Sequence, residues 1–127
     1  MEKHINQVRE FHITYGVPVN NSPQFPDQSR IKLRTDILFE EVAELETAMS
    51  QRDMTAVADA ITDCLYILFG TALELGIADE LPACFDEVHR SNMSKLGDDG
   101  LPILREDGKV LKGPNYFKPD LKSIIEP

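Results

Sequence analysis

Two long segments with helical periodicity flank the short connection Arg52-Asp53, and this pair constrains the fold more than any other feature of the chain. From about Ser29 to Gln51, residues Ile31, Leu38, Val42, Leu45 and Met49 fall on one stripe at 3.6 residues per turn. Ile37 and Ala48 widen that apolar arc on one flank. From about Met54 to Leu75 the chain is apolar nearly all round, from Val57 and Ile61 through Leu65, Leu68 and Leu73, which is the pattern of a central helix. So short a connection leaves the two helices one arrangement, a tight antiparallel hairpin.

Both helices carry closely spaced acids. Glu40, Glu41 and Glu44 lie three and four residues apart on the first, and Asp59 and Asp63 lie one turn apart on the second. Like charges at this spacing destabilise an isolated helix by about 0.2–0.5 kcal/mol per pair. The ordinary reading of a glutamate run is a solvated face. Against it, Glu41 and Glu44 stand on the shoulder of the apolar arc, beside Ile37 and Ala48, whereas Glu46 points away. Aspartate is a poor interior helix residue, and here there are two. A cation between the helices turns the repulsion into ligation, and carboxylate-only donors suit hard ions, Mg2+ above all and Mn2+ next. The polar line of the second helix continues through Tyr66 to Gly70, where the missing side chain leaves room for a close approach.

The rest of the chain reads around this hairpin. Residues 2–15 form a first amphipathic helix through Ile5, Val8 and Phe11, stopped by Gly16 and Val17-Pro18. Residues 17–28 hold three prolines and two asparagines and form a loop long enough to suggest a lid or strap. Asp27 or Ser29 caps the second helix. A fourth helix starts after Asp79 as its N-cap, with Pro82 in its first turn, and ends near Leu96-Gly97. Asp107-Gly108 between Leu101–Arg105 and Lys109–Lys112 is a β-hairpin cue, and Gly113–Pro119 is an extended tail. The expected architecture is all-α: one domain over 1–127, with a four-helix core over about 2–96 and a C-terminal hairpin and tail over 97–127.

A net charge of −9, from 22 acidic and 13 basic residues, disfavours a nucleic-acid surface. A nucleotide substrate stays open, because a metal neutralises phosphates locally. The lysines concentrate late, at Lys95, Lys109, Lys112, Lys118 and Lys122. Cys64 and Cys84 sit among apolar neighbours and read as buried thiols of a reducing compartment. Met1–Ile5 forms no signal core, and no apolar run is expected to be long enough to cross a bilayer, so the cytoplasm is expected and no membrane partner. Asp86 and His89 form a single acid-x-x-His pair, whereas a di-iron bundle needs two such pairs with glutamates.

Glu40-Glu41-x-x-Glu44, followed by the acids of Asp59-Ala60-Ile61-Thr62-Asp63-Cys64-Leu65-Tyr66, resembles the all-α nucleoside triphosphate pyrophosphohydrolase superfamily. That superfamily includes MazG-like proteins, dimeric dUTPases and phosphoribosyl-ATP pyrophosphohydrolase. Val88–Lys95 and Asp107–Tyr116 are similar to the phosphoribosyl-ATP pyrophosphohydrolase-like branch, and the likeness covers nearly all of residues 30–121. Many members carry Glu-x-x-Asp on the second motif helix; here Asp63 matches the aspartate, Ala60 stands in the glutamate's place, and Asp59 lies one residue earlier. The resemblance implies a MazG-like helical bundle that hydrolyses a nucleoside triphosphate to a monophosphate and pyrophosphate. It implies Mg2+ on Glu41, Glu44 and Asp63 with Asp59, and water activation by Glu40 or Glu41. Phosphate contacts from Lys95, Lys109 and Lys112 follow, with sugar or base contacts from Asn92 and Tyr116. It also implies a homodimer or a dimer of dimers. Two other readings use the same residues: a catalytically weak nucleotide-binding or regulatory protein on this scaffold, and a helical assembly module whose acids only face water.

Overall fold

The computed structural model describes all residues, 1–127, and is all-α, as expected. Its helices are α1 (Glu2–Tyr15), α2 (Gln28–Ser50), α3 (Met54–Leu75), α4 (Leu81–Met93) and the single turn α5 (Lys122–Ile125). The chain packs as two compact units, Met1–Asp79 and Glu80–Pro127.

In the first unit α3 packs against both α2 and α1. Its inward residues are small or fully enclosed: Ala60, Gly70, Ala72 and Leu73 are buried, with Ala48 of α2 and Ile5 and Val8 of α1. Small residues let the helix backbones approach closely. Asp53 caps α3 by accepting a bond from Ala56 N at 3.1 Å, and Asp27 caps α2 by accepting from Arg30 N at 3.0 Å. Gly16 and Gly76 end α1 and α3 in the left-handed region, at φ 68° and 72°. Taken whole, Met54–Leu75 has the length and, at a mean hydropathy of 1.5, the composition of a membrane span, so the expectation that no apolar stretch reaches that length does not hold for α3. Asp59, Asp63 and Glu74 interrupt it, however, and one side of it packs against α2 and α1.

The loop over 17–28 lies along the C-terminal end of α3. Asn20 N donates to Leu73 O at 2.9 Å, Asn20 Nδ2 to Glu74 O at 2.6 Å, and Gln24 N to Leu75 O at 3.0 Å. The bonds to Glu74 O and Leu75 O supply partners at the helix end, and Leu73 O accepts from Gly76 N at 3.3 Å as well. His12, buried on α1, sets the start of the loop: its Nδ1 lies 3.0 Å from Pro18 O and must carry the proton to bond a carbonyl. The strap therefore lies about 15 Å along α3 from Asp63, at the end away from the acids.

The second unit begins with α4. Asp79 is not its cap: the carboxylate instead accepts from Arg9 Nη2 at 2.9 Å within the first unit, and Glu80 takes the cap position. The tail packs back on α4, where buried Ser91 donates to Phe117 O at 2.8 Å and Arg90 lies over the Phe117 ring at 4.3 Å. Glu87 accepts from Asp120 N at 2.9 Å, and its bonds to Arg90 and Asp120 hold its carboxyl down at about 2. The expected C-terminal β-hairpin does not form. The turn at Asp107-Gly108 is present, with Gly108 at φ 90°, but a single antiparallel bridge, Leu104 to Val110, replaces the two strands. The flanking residues 101–110 are all exposed, and a two-stranded ribbon with no buried face is marginal in water.

Gly76 is the sharpest test of this packing. A Cβ at this position would collide with the Ser22 carbonyl, and φ 72° already disfavours any side chain. Gly76→Ala is expected to destabilise the protein by about 2–3 kcal/mol, read as a lowered midpoint in urea, whereas Gly16→Ala, which meets no neighbour, costs less.

Candidate metal centre

The acids predicted to converge do so in part. Glu41 and Glu44 on α2 and Asp63 on α3 each bring one carboxylate oxygen to within 4.8 Å of the others. Glu41 and Asp63 are half-buried and Glu44 is exposed. The convergence follows from the helical registers. Glu41 lies on the α2 face that turns toward α3, in line with Arg34 and buried Ala48, and Asp63 lies on the α3 face that continues through Ile67, Gly70 and Glu74. Asp59, one turn before Asp63, stays exposed but is close enough for its charge to act on Glu41 and Asp63. Glu40 is exposed on the neighbouring face of α2 and is not drawn into the cluster.

The electrostatics of the cluster are unfavourable as it stands. Burial, followed by the charges of Glu44, Asp63 and Asp59, pushes the Glu41 carboxyl above its usual range. Burial, then Asp59 and Glu44, does the same to Asp63. Two unit charges 4.8 Å apart repel by about 3 kcal/mol at the effective dielectric near a protein surface, and by less where Glu44 meets water. One oxygen of Glu41, Oε2, is fully enclosed and has no hydrogen-bond partner. An enclosed carboxylate oxygen among like charges needs a proton or a cation. Cys64 lies beside the acids, but burial, then Glu41 and Asp63, pushes its thiol up, so it offers no thiolate. The donor set is therefore oxygen alone and fits a hard divalent ion. Ala60, in the place where the resembling sequences carry glutamate, is buried, so no third α3 carboxylate enters there. A hollow of about 290 Å3, lined by residues including Glu44, Thr47 and Gln51, opens beside the cluster.

The substrate-contact candidates all lie in the second unit. Asn92 and Lys95 line one hollow of about 350 Å3 with Met93, Leu96, Pro102 and Val110. Lys112 Nζ sits over the Tyr116 ring at 4.8 Å from its centroid, a cation–π pair. Lys109 is exposed on the turn, its backbone N–H bonded to Asp107 Oδ1 at 3.2 Å. Gly113 is required where the tail meets α4, because a Cβ there would press on the carbonyls of Lys95 and Leu96.

A second charged group on the α2–α3 seam was not foreseen. Glu74, 1% exposed, accepts two bonds at Oε1 from Arg30, from Nε at 2.9 Å and Nη2 at 2.7 Å. Arg34 Nε lies 3.1 Å from Oε2 as an ion pair, without a directed hydrogen bond there. Its directed bonds go to Thr71 Oγ1 at 3.0 Å and, from Nη2, to Ile67 O at 2.7 Å. The signal was available: Glu74 is the only charged residue between Cys64 and Leu75, and Arg30, Arg34 and Glu41 recur at spacings of four and seven.

Comparison with known proteins places the chain in a family. The family described as phosphoribosyl-ATP pyrophosphohydrolase matches residues 8–92, a span that includes all the clustered acids. An uncharacterized protein of Acanthamoeba polyphaga mimivirus is 35% identical over 126 residues. That match covers 94% of this chain, which spans only 46% of the viral protein's length. A crystal structure from Exiguobacterium sp. 255-15, described as a candidate NTP pyrophosphohydrolase, is 27% identical and superposes with a TM-score of 0.48, covering 96% of this chain and 93% of the other. With the family match running across the greater part of its length, this chain belongs to the phosphoribosyl-ATP pyrophosphohydrolase family, within the MazG-like all-α nucleoside triphosphate pyrophosphohydrolase superfamily.

Proposed function

We propose that this chain hydrolyses a nucleoside triphosphate to the monophosphate and pyrophosphate, with Glu41, Glu44 and Asp63 holding Mg2+, or Mn2+ in its place. One observation carries the reading: Glu41 Oε2 is enclosed, unpartnered and surrounded by acids. Held by Glu41, Glu44 and Asp63, a divalent ion would supply Lewis-acid stabilisation of the charge that develops on the phosphates. The remaining work falls to the chain. The three carboxylates fix the site from two helices, and exposed Asp59 stands close enough to add its charge. Proton acceptance from the attacking water falls to a carboxylate oxygen of Glu40 or Glu41. Lys95, Lys109 and Lys112 are the proposed phosphate contacts, and Asn92 and Tyr116 the proposed sugar or base contacts.

A homodimer or dimer of dimers in the cytoplasm completes the proposal. In the isolated chain Ile61, Leu65 and Leu68 of α3 are each about half exposed, an apolar display that a second copy would cover. Cys64 and Cys84 are both free, as suits a reducing compartment. The buried alanine at position 60 favours one alternative, a nucleotide-binding protein with slow turnover.

Pyrophosphate release over a panel of triphosphates, with and without Mg2+, tests both. Glu44→Gln and Asp63→Asn are each expected to lower the rate at least about tenfold, because each removes a charged ligand. Unchanged rates in both variants would remove the site assignment, and no release from any triphosphate would favour the alternative. Glu41→Gln is expected to raise the melting temperature of the metal-free protein by a few degrees at pH 7, since it removes one of the crowded charges. The sign follows from the raised folded-state carboxyl. Its ionisation destabilises the fold as pH rises, so the advantage of glutamine should fade below the ordinary glutamate value of 4.5.

A further inference from the structure

The α2–α3 seam has two polar stations, and their spacing matches on both helices. Arg34 stands against Gly70, and Glu41 stands against Asp63. The pairs are seven residues apart on each helix, which is two turns and keeps both on one face. The first station is specific. A Cβ at Gly70 would lie 2.5 Å from Arg34 Nη2 and 2.7 Å from His12 Nε2, so the guanidinium occupies the space that the glycine leaves. From there it reaches Thr71, Ile67 and Glu74. The second station has like charges only and cannot hold itself together. Sliding α2 by one turn, about 5.4 Å, would carry Arg34 off Gly70 and strand Glu74, 1% exposed, without one of its arginines.

We infer that Arg34 is a positioning residue for the acid cluster: seated on Gly70 and paired with Glu74, it sets the α2–α3 register that brings Glu41 opposite Asp63. The inference rests on the metal-centre reading above. Buried ion pairs contribute little net stability compared with apolar replacements, and their best-attested use is in fixing register. Simple charge effects act in the opposite sense, since removing a nearby cation should strengthen cation binding by the acids.

The test measures Mn2+ affinity by calorimetry, with helical content and melting temperature recorded for each protein. Arg34→Lys keeps the charge but loses the planar fork, Gly70→Ala displaces the guanidinium without altering charge, and Arg34→Met with Glu74→Leu replaces the pair by apolar side chains. Each is expected to weaken Mn2+ binding about tenfold while the helical signal is kept, and the double variant should melt no lower than the parent. Lys32→Ala, at an exposed ion pair with Asp36, is expected to bind as the parent does. If the parent binds no Mn2+, the metal-centre reading falls and the positioning role falls with it. If the parent binds and the folded variants bind equally tightly, only the positioning role is overturned. Weakening confined to variants that have lost helical signal overturns it as well. Should the double variant not fold, the charge-preserving Arg34→Lys decides.

Discussion

The fold depends on a conflict of charge along one helix–helix seam. At one end, three carboxylates from α2 and α3 crowd together, and one enclosed oxygen has no partner. At the other, a glutamate buried to 1% exposure takes two arginines. Neither end is what an apolar core calls for, and each alone is a poor source of stability. Together they define one alignment of two helices whose remaining contacts are mostly small and non-directional. The apolar packing of Ala48, Ala60 and Leu73 supplies cohesion, and the charges supply uniqueness.

Family membership and geometry bear on different questions. The match over residues 8–92 says what kind of chain this is, and the convergence of Glu41, Glu44 and Asp63 supports the proposed place of its chemistry. Ala60 shows why both are needed. The resemblance implies a glutamate there in many members, but here the position holds a buried alanine. The exposed Asp59 supplies a charge nearby instead. The proposed site therefore draws two carboxylates from α2 and one from α3, with a fourth acid at its edge.

Long-period signals in the sequence were legible, and short-range ones less so. Helix α3 begins at Met54 and ends at Leu75, as its apolar pattern and Gly76 predict, and α1 ends at Gly16. The C-terminal β-hairpin cue yields only a turn, because Asp107-Gly108 reverses the chain but its flanks bury nothing that would hold strands together. Asp79 looked like a helix cap until Arg9, seventy residues earlier, claimed its carboxylate. Gly70 was read as room for an approach, and the structure shows what approaches: Arg34 and His12. The Arg34–Glu74 pairing depends on how two helices face one another, and single-helix periodicity does not contain that.

The strap over residues 17–28 links parts of the molecule that are distant in sequence. Its amides occupy the terminal carbonyls of α3, and the Ser22 backbone fills the space beside Gly76. The strap cannot lift without exposing those carbonyls, and the residue directly beneath it, Glu74, anchors the two arginines. Lifting the strap would uncover the last turn of α3, so residues 17–28 act as a C-terminal cap supplied from before the hairpin rather than from after it.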